Sequence, residues 1–362
     1  MGYEIDFLAV GTESRGGDAI ALRYGNLYGP SSDQTVIVID GGYTECGEAM
    51  VEHIRRYYGT DEVDMVVSSH PDMDHVTGLE VVVEEMTVGQ LLMHQPWRHS
   101  SHLAQARDGA FKSASVSDKL AKSLQDVSDL EDIANRKGVA IIEPWAGMTT
   151  DDGCFKILGP TPAFYEEILA LEQTTLSSIA KGLVGAFSRV KDAVTTVFES
   201  PTHETLRDGG ITSPQNNSSV ISTLRVGGDQ ILFTADAGAP ALEGALAILE
   251  SDGFTPGSLT IAQVPHHGSR RNVGPTILNR LLGPIGQLPG DTRACVSAPA
   301  KNPEAKHPAK KVTNAFLRRG YPVFATQGKG IRFYNDAPAR PGWNTISTAV
   351  PFYNYVEEDS EQ

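Results

Sequence analysis

Short apolar and β-branched runs at 4–10, 19–24 and 35–39 alternate with Gly-rich and polar turns, a pattern that predicts three opening strands of one sheet. Between Cys46 and Tyr58 the apolar positions Met50, Val51, Ile54 and Tyr57 recur at helical spacing, and Val63 to Val67 is a compact apolar run of strand length. Asp74 to Glu85 then predicts a helix, and Leu91 to His94 a strand. Two stretches, 112–137 and 163–198, are helical by their content of Ala, Leu, Lys and Glu. The strand pattern returns with Val220 to Val226, a Gly227-Gly228-Asp229 turn and Ile231 to Thr234, which together predict a tight hairpin. Further strand ends fall at Val264 and Ser297, and a last pair lies around Val323 and Ile331. Two β-rich halves with helices following their strands predict a layered sandwich of sheets and helices.

At 362 residues the chain has room for two ordinary domains or for one large layered domain with insertions. With 40% hydrophobic and 21% charged residues it has the composition of a globular protein. No stretch approaches the roughly 18 consecutive apolar residues that a membrane span requires. Met1 to Val10 carries Glu4 and Asp6 and no basic segment, so it reads as a first strand and not as a signal peptide, and the expected location is cytoplasmic. Cys46, Cys154 and Cys295 are far apart and odd in number, which suits reduced structural thiols. A net charge of −15 argues against a broad phosphate-binding surface, so any nucleic-acid contact has to be local. Part of that charge lies in Glu357-Glu358-Asp359-Ser360-Glu361, expected as a frayed, solvated end.

The chemistry concentrates in His70-Pro71-Asp72-Met73-Asp74-His75, four metal-capable side chains in six residues after a buried strand. His70 and Asp72, two apart, can meet one ion, and Asp74 and His75 at the start of a helix can meet another. The competing reading is an acidic loop capping that helix, a position Asp favours. Three other strand ends weigh against it. Phe233-Thr234-Ala235-Asp236 places a carboxylate just past a strand, Val264-Pro265-His266-His267-Gly268-Ser269 places two histidines past another, and Ile39-Asp40-Gly41-Gly42 ends a third. Taken singly, Asp236 reads as a turn residue and Asp40 as part of a tight turn; a His-His-Gly-Ser run seldom has a packing reason.

With these pieces in order, the chain resembles the metallo-β-lactamase superfamily and, within it, the β-lactamase-like domain of the ComEC competence (DNA-uptake) proteins and their stand-alone relatives. The matching pieces also include Gly16-Gly17-Asp18-Ala19-Ile20, Gln215-Asn216-Asn217-Ser218-Ser219-Val220, and Asn302 through His307-Pro308. The resemblance implies an α+β fold, a four-layer αββα sandwich over residues 1–335, with helical inserts near 95–135 and 165–213 and a C-terminal extension with an acidic tail at 336–362. It implies a metal site at the strand ends: His70 and Asp72 on a first ion, Asp74 and His75 on a second, Asp236 between them, and His266 or His267 completing the second, with His266 favoured as the ligand and His267 facing substrate. Asn216-Asn217 stands where the superfamily usually has a ligand histidine, so that Asn216 is the expected, poorer metal ligand there, and Asp72 stands where most members have another histidine. That oxygen-rich set points from zinc towards manganese or magnesium.

Asp40 is expected to hold a ligand histidine in place, and Asp18, Asn217, Lys301, Asn302 and His307 to line the substrate side. The implied cofactors are two divalent ions, manganese or zinc, with magnesium as an option. The implied activity is that of a phosphodiesterase or nuclease acting on a phosphodiester or nucleotide substrate, with Asp74 or Asp236 orienting the attacking water and His267 or His307 protonating the leaving oxygen. Lys301, Lys306, Arg270 and Arg271 flank the motifs as a phosphate track. Two other readings stay open: a metallohydrolase of a small ester, thioester, β-lactam or nucleotide signal, and a non-catalytic metal-stabilised module. The inserts are the surface on which a second copy or a protein partner would dock.

Overall fold

The computed structural model describes residues 1–11, 16–108, 118–180, 196–287, 290–299, 307–343 and 348–358. Its first half contains β1 (Gly2–Phe7), β2 (Ala19–Gly25), β3 (Gln34–Gly41), α1 (Thr44–His53), β4 (Glu62–Val67), α2 (Met73–Glu85), β5 (Thr87–Leu92), the helices α3 (Pro96–His99), α4 (Ser101–Asp108) and α5 (Asp118–Lys137), then β6 (Ala140–Ile142). The second half contains β7 (Phe155–Gly159), α6 (Pro162–Ala180), β8 (Thr196–Phe198), α7 (Pro214–Asn217), β9 (Ile221–Val226), β10 (Asp229–Phe233), α8 (Ala239–Ser251), β11 (Ile261–Gln263), α9 (Pro275–Leu282), β12 (Arg293–Val296), α10 (Lys310–Arg318), β13 (Val323–Ala325), β14 (Ile331–Asn335) and β15 (Tyr355–Glu357).

The strands form a seven-stranded sheet in the order β14-β1-β2-β3-β4-β5-β6 and a six-stranded sheet in the order β13-β12-β11-β10-β9-β7. In each, antiparallel strands at one side give way to parallel ones, β3 to β6 and β10 to β13, joined through helices. The hairpin between β9 and β10 turns on Gly227 and Gly228, both at positive φ, and pairs Val226 with Asp229. Alternation along the strands gives each sheet two apolar faces. Ile5, Phe7, Ile20, Leu22, Ile37 and Ile39 of the first sheet meet Phe155, Leu224, Ile231, Phe233 and Cys295 of the second in a core between the sheets.

Outer cores hold the helices on. Val76, Leu79, Val82 and Val83 of α2 pack with Leu120, Leu124, Val127 and Leu130 of α5 against the first sheet, and Leu242, Leu246, Ile277, Leu281, Val312 and Phe316 pack against the second. The result is the four-layer αββα sandwich expected from the motifs.

The acidic tail departs from expectation at its first residue. Glu357 ends β15, which pairs with β8, and its carboxylate accepts from the backbone N–H groups of Lys310 and Lys311 at the start of α10 (3.0 and 3.4 Å), so helix capping orders it. No helix among the described residues is long and apolar enough to cross a membrane. Cys46, Cys154 and Cys295 are unpaired thiols, the first and last buried.

Candidate metal centre

The parallel strands deliver the chemistry at their carboxyl ends, where open α/β sheets hold ligands. Asp40 lies at the end of β3, His70 three residues past β4, Asp236 three past β10, and His266 and His267 three and four past β11. The glycines of Ile39-Asp40-Gly41-Gly42 serve close packing. A Cβ on Gly41 would overlap the backbone of Gly78 and Leu79, and one on Gly78 would overlap the Gly41 carbonyl. The helix α2 therefore lies directly on the strand end and sets His75 over Asp40, with Nδ1 to Oδ2 at 2.7 Å.

Four histidines share one arrangement. The Nδ1 of His70 meets the Ser69 hydroxyl at 2.9 Å, that of His75 meets Asp40, that of His266 meets the Asn272 side-chain oxygen at 2.9 Å, and that of His267 meets the Ser297 carbonyl at 3.2 Å. Each anchor fixes the ring and leaves Nε2 for the interior of the site, the geometry a metal-binding imidazole needs. All four Nε2 atoms converge on Asp236. Its Oδ1 lies 3.6 Å from His75 Nε2 and 3.7 Å from His267 Nε2, while its Oδ2 lies 3.7 Å from His70 Nε2 and 3.4 Å from His266 Nε2. Donor atoms held at about 2.0–2.2 Å by a common ion stand about 3–4 Å apart, and each oxygen of Asp236 has two imidazoles at such distances; ligand atoms all within 4.8 Å of one another occur in Asp40-His70-His75, Asp74-His75-His267 and Asp18-Asp236-His267.

Consecutive histidines reach different groups because both are left-handed: φ is 48° at His266 and 52° at His267, with Ala235 and Asp40 at 45° and 54°. Such backbone costs roughly 1–3 kcal/mol per residue and concentrates where function requires it.

The polar atoms that have no partner test whether these residues fit a cation. Asp18 Oδ1, His70 Nε2, His75 Nε2 and Asp236 Oδ1 are buried and make no hydrogen bond among the described residues. A buried polar atom without a partner costs roughly 1–3 kcal/mol, and here four of them meet in one place. Lone pairs from imidazole and carboxylate converge with no donor to answer them, and a divalent cation satisfies them. The imidazoles and carboxylates of the cluster also act on one another's protonation. Burial would raise Asp236, but His267, His75, His266 and His70 outweigh it and hold the carboxyl well below its ordinary value. Burial would lower His75, but Asp236 and Asp40 raise it well above the ordinary histidine range. Burial, reinforced by His75, keeps His70 low. Asp18 is raised by burial, against the pull of His267 and His75.

The remaining expected residues divide. Asp74 is 25% exposed, with Oδ2 3.9 Å from His267 Nε2, and groups with His75 and His267. Asp40 accepts from the Ser69 N–H (2.8 Å), the Ser69 hydroxyl (2.6 Å) and His75 Nδ1, so its oxygens are occupied in holding the two histidine loops. Asp72 lies apart: its Oδ1 is 3.4 Å from the Ser123 hydroxyl on α5, and it joins none of the His/Asp groups. Asn216 turns its Nδ2 towards Asp236 Oδ2 (3.3 Å) and His266 Nδ1 (3.1 Å), while its oxygen accepts from Ser213. Asn217 is buried, its Nδ2 3.4 Å from the Thr212 carbonyl. His307 stacks on His266 at 6.1 Å and is lowered to about 4 by burial, then by His267 and His266. Arg270 reaches the Glu358 carbonyl at 3.1 Å, and Lys301, Asn302 and Lys306 lie outside the described residues.

His267, expected to face substrate, is grouped with Asp74 and His75, while His266, expected as the ligand, joins none of these groups and faces Asp236 Oδ2 at 3.4 Å. Asp18, expected on the substrate side, stands in a group with Asp236 and His267. Sequence reasoning passed over Gln263, Asn272, Ser69 and the Ser297 carbonyl. Gln263 alone carried a signal, a polar residue closing the apolar run Ile261-Ala262.

The family model of the metallo-β-lactamase superfamily matches residues 27–285, well over half of the chain. The protein belongs to the metallo-β-lactamase superfamily, whose members are mostly metal-dependent hydrolases. A search of curated protein sequences finds no significant relative. Among solved structures the chain is similar to a putative metallo-β-lactamase from Thermotoga maritima, at 11% identity over 65% of this chain and 79% of that one, with a TM-score of 0.33. It is also similar to a mutant of the β-hydroxylase CmlA (11% identity, 92% of this chain and 53% of that one, TM-score 0.42) and to the hydrolase AbOPH of the β-lactamase superfamily (12% identity, 69% and 82%, TM-score 0.35).

Proposed function

We propose that this protein is a two-metal phosphodiesterase, with a nucleic acid or another nucleotide polymer as substrate. The observation that carries this reading is the division of Asp236, one oxygen facing His75 and His267 and the other facing His70 and His266. Two divalent ions in those positions would acidify a bound water and offset the charge that builds on the oxygens around phosphorus. Asp74, the partly exposed carboxylate of the set, orients the attacking water. His267 turns its Nδ1 to the Ser297 carbonyl and its Nε2 into the site, so it serves as a ligand in this reading. His307, stacked on His266, offers a hydrogen bond to the departing oxygen.

The choice of phosphodiester rests on the ordered resemblance to the ComEC β-lactamase-like domain and on the basic residues Arg270, Arg271, Lys301 and Lys306 beside the motifs. A net charge of −15 favours a second reading, a small anionic or neutral ester reached without a polymer track. Incubating the metal-stripped full chain with single-stranded DNA, duplex DNA, RNA and bis-p-nitrophenyl phosphate, with Mn²⁺, Mg²⁺ or Zn²⁺ added in turn, separates the two. Cleavage of a polymer supports the first reading. Cleavage of bis-p-nitrophenyl phosphate alone moves the assignment to small esters, and no cleavage with any ion rejects both.

A further inference from the structure

We propose that Asp18 is a direct ligand of the ion that Asp74, His75, Asp236 and His267 hold, and that its carboxylate tilts this position towards a hard cation such as Mn²⁺ over Zn²⁺. The inference rests on the two-metal reading and extends its ligand set to a segment far away in sequence. Three observations converge on it. First, Asp18 groups with Asp236 and His267, their ligand atoms all within 4.8 Å of one another. Secondly, the carboxylate is half used. Gln263 Nε2 donates to Oδ2 at 2.8 Å, while Oδ1 is buried and makes no hydrogen bond among the described residues.

Thirdly, the approach of the chain is built for this position. Gly17 runs at φ 136°, and a Cβ there would overlap the Asp74 carbonyl; a Cβ on Gly16 would press on the His267 ring at 3.2 Å. Gly16-Gly17 therefore threads between two members of the centre and delivers Asp18 beside them.

Gln263 makes the arrangement rigid. Its side-chain oxygen accepts from the backbone N–H groups of Thr234 (2.8 Å) and Ala235 (3.0 Å), on the loop that carries Asp236, while its amide holds Asp18. One side chain thus fixes two carboxylates from opposite sheets relative to each other. Oxygen donors favour manganese and magnesium, whereas an imidazole-dominated set favours zinc. At this position Asp18 adds a third carboxylate to those of Asp74 and Asp236.

The test is titration of the chelator-treated full chain with Mn²⁺, followed by electron paramagnetic resonance, and with Zn²⁺, followed by calorimetry, for the parent, D18N, D18E and D74A. Asp18→Asn keeps the volume and an acceptor for Gln263. Mn²⁺ affinity at one of two positions should fall at least about tenfold in D18N, the range seen on removing metal-supporting groups. Zn²⁺ affinity should fall less, so that the preference moves towards zinc. D18E, which keeps the charge and displaces it by one methylene, should recover part of the Mn²⁺ affinity; if D18N does not fold, a several-fold Mn²⁺ loss in D18E supports the same conclusion. Unchanged Mn²⁺ affinity and stoichiometry in D18N, or in D18E where D18N does not fold, overturns the role of Asp18. If the parent binds no ion and D74A behaves identically, the two-metal reading fails as well.

Discussion

Two clusters of buried charge, one on the first sheet and one where the strand ends of both sheets meet, are built on opposite principles. Around β1, Glu4 and Asp6 face Arg23, Arg332, Arg340, His53 and Tyr58. Arg23 Nε reaches Glu4 at 2.6 Å, Arg340 reaches both Asp6 oxygens at 2.8 and 3.0 Å, and His53 and Tyr58 close on Asp6 at 3.0 and 2.7 Å. Tyr57 and Trp343 flank the Arg340 guanidinium at 4.7 and 5.0 Å. Each carboxylate there has cationic partners within the chain. At the strand ends, Asp18, Asp74 and Asp236 face imidazoles, and four polar atoms stay unanswered among the described residues. In the first cluster both carboxylates are paired with cationic groups, and Arg340 ties its segment of the chain to the first strand. The second gathers several unanswered lone pairs in one place, and that convergence, not burial of charge or a single unpartnered atom such as Arg332 Nε, marks it as a cation site.

The sharpest way to break the comparison is Asp236→Ala. Both groups lose the carboxylate they share, so hydrolysis should fall by more than the roughly 10–100-fold that supporting residues contribute, measured as kcat/KM on the best substrate. Wild-type activity in this variant would sink the assignment of the centre. Arg340→Ala attacks the other cluster. Removing one partner of a buried pair costs about 3–5 kcal/mol, so denaturant unfolding should register a loss near the lower figure, Arg23 and His53 remaining as partial compensation, while Mn²⁺ affinity stays at the parental value.

Asp40→Ala should lower activity by about 10–100-fold, since His75 and Ser69 lose the group that orients them. If activity is retained, the anchoring role is wrong. Acid titration probes the first cluster. Burial would raise Asp6, but His53 and Arg340 hold it below its ordinary value. Its contribution is therefore fully present above the unfolded carboxyl value and is lost as pH falls through the depressed folded value, so the parent should lose more stability than Asp6→Asn between about pH 5 and pH 2. Parallel curves would remove the linkage. The smallest effect belongs to Glu357→Gln, expected to cost about 0.5–1 kcal/mol in thermal unfolding through a weakened cap on α10.

Much of the centre could be read before any coordinates. Strand-end Asp and His motifs named His70, Asp74, His75, Asp236 and the His266-His267 pair, because a strand's period and a turn's residue types are local properties of the chain. Asp72 could not be resolved in this way. Its spacing from His70 suits a shared ion, and that the Ser123 hydroxyl on α5 reaches its side chain is a product of the fold. The roles of His266 and His267 were equally undecided, since adjacent residues point to different groups only through two successive left-handed φ angles. Gln263 was missed because its partners, Asp18 and the Thr234 and Ala235 amides, come from distant parts of the chain.

The amino-acid order was thus enough for the layered fold, the strand ends and the kinds of donor placed there, all of them consequences of hydrophobic periodicity and local turn chemistry. Which donors converge, which oxygen of Asp236 faces which histidines, and that Asp18 joins them were decided by the packing of the two sheets against each other. Ligand geometry depends on ångström distances between residues up to 250 positions apart, and no local preference of the chain encodes a distance of that kind.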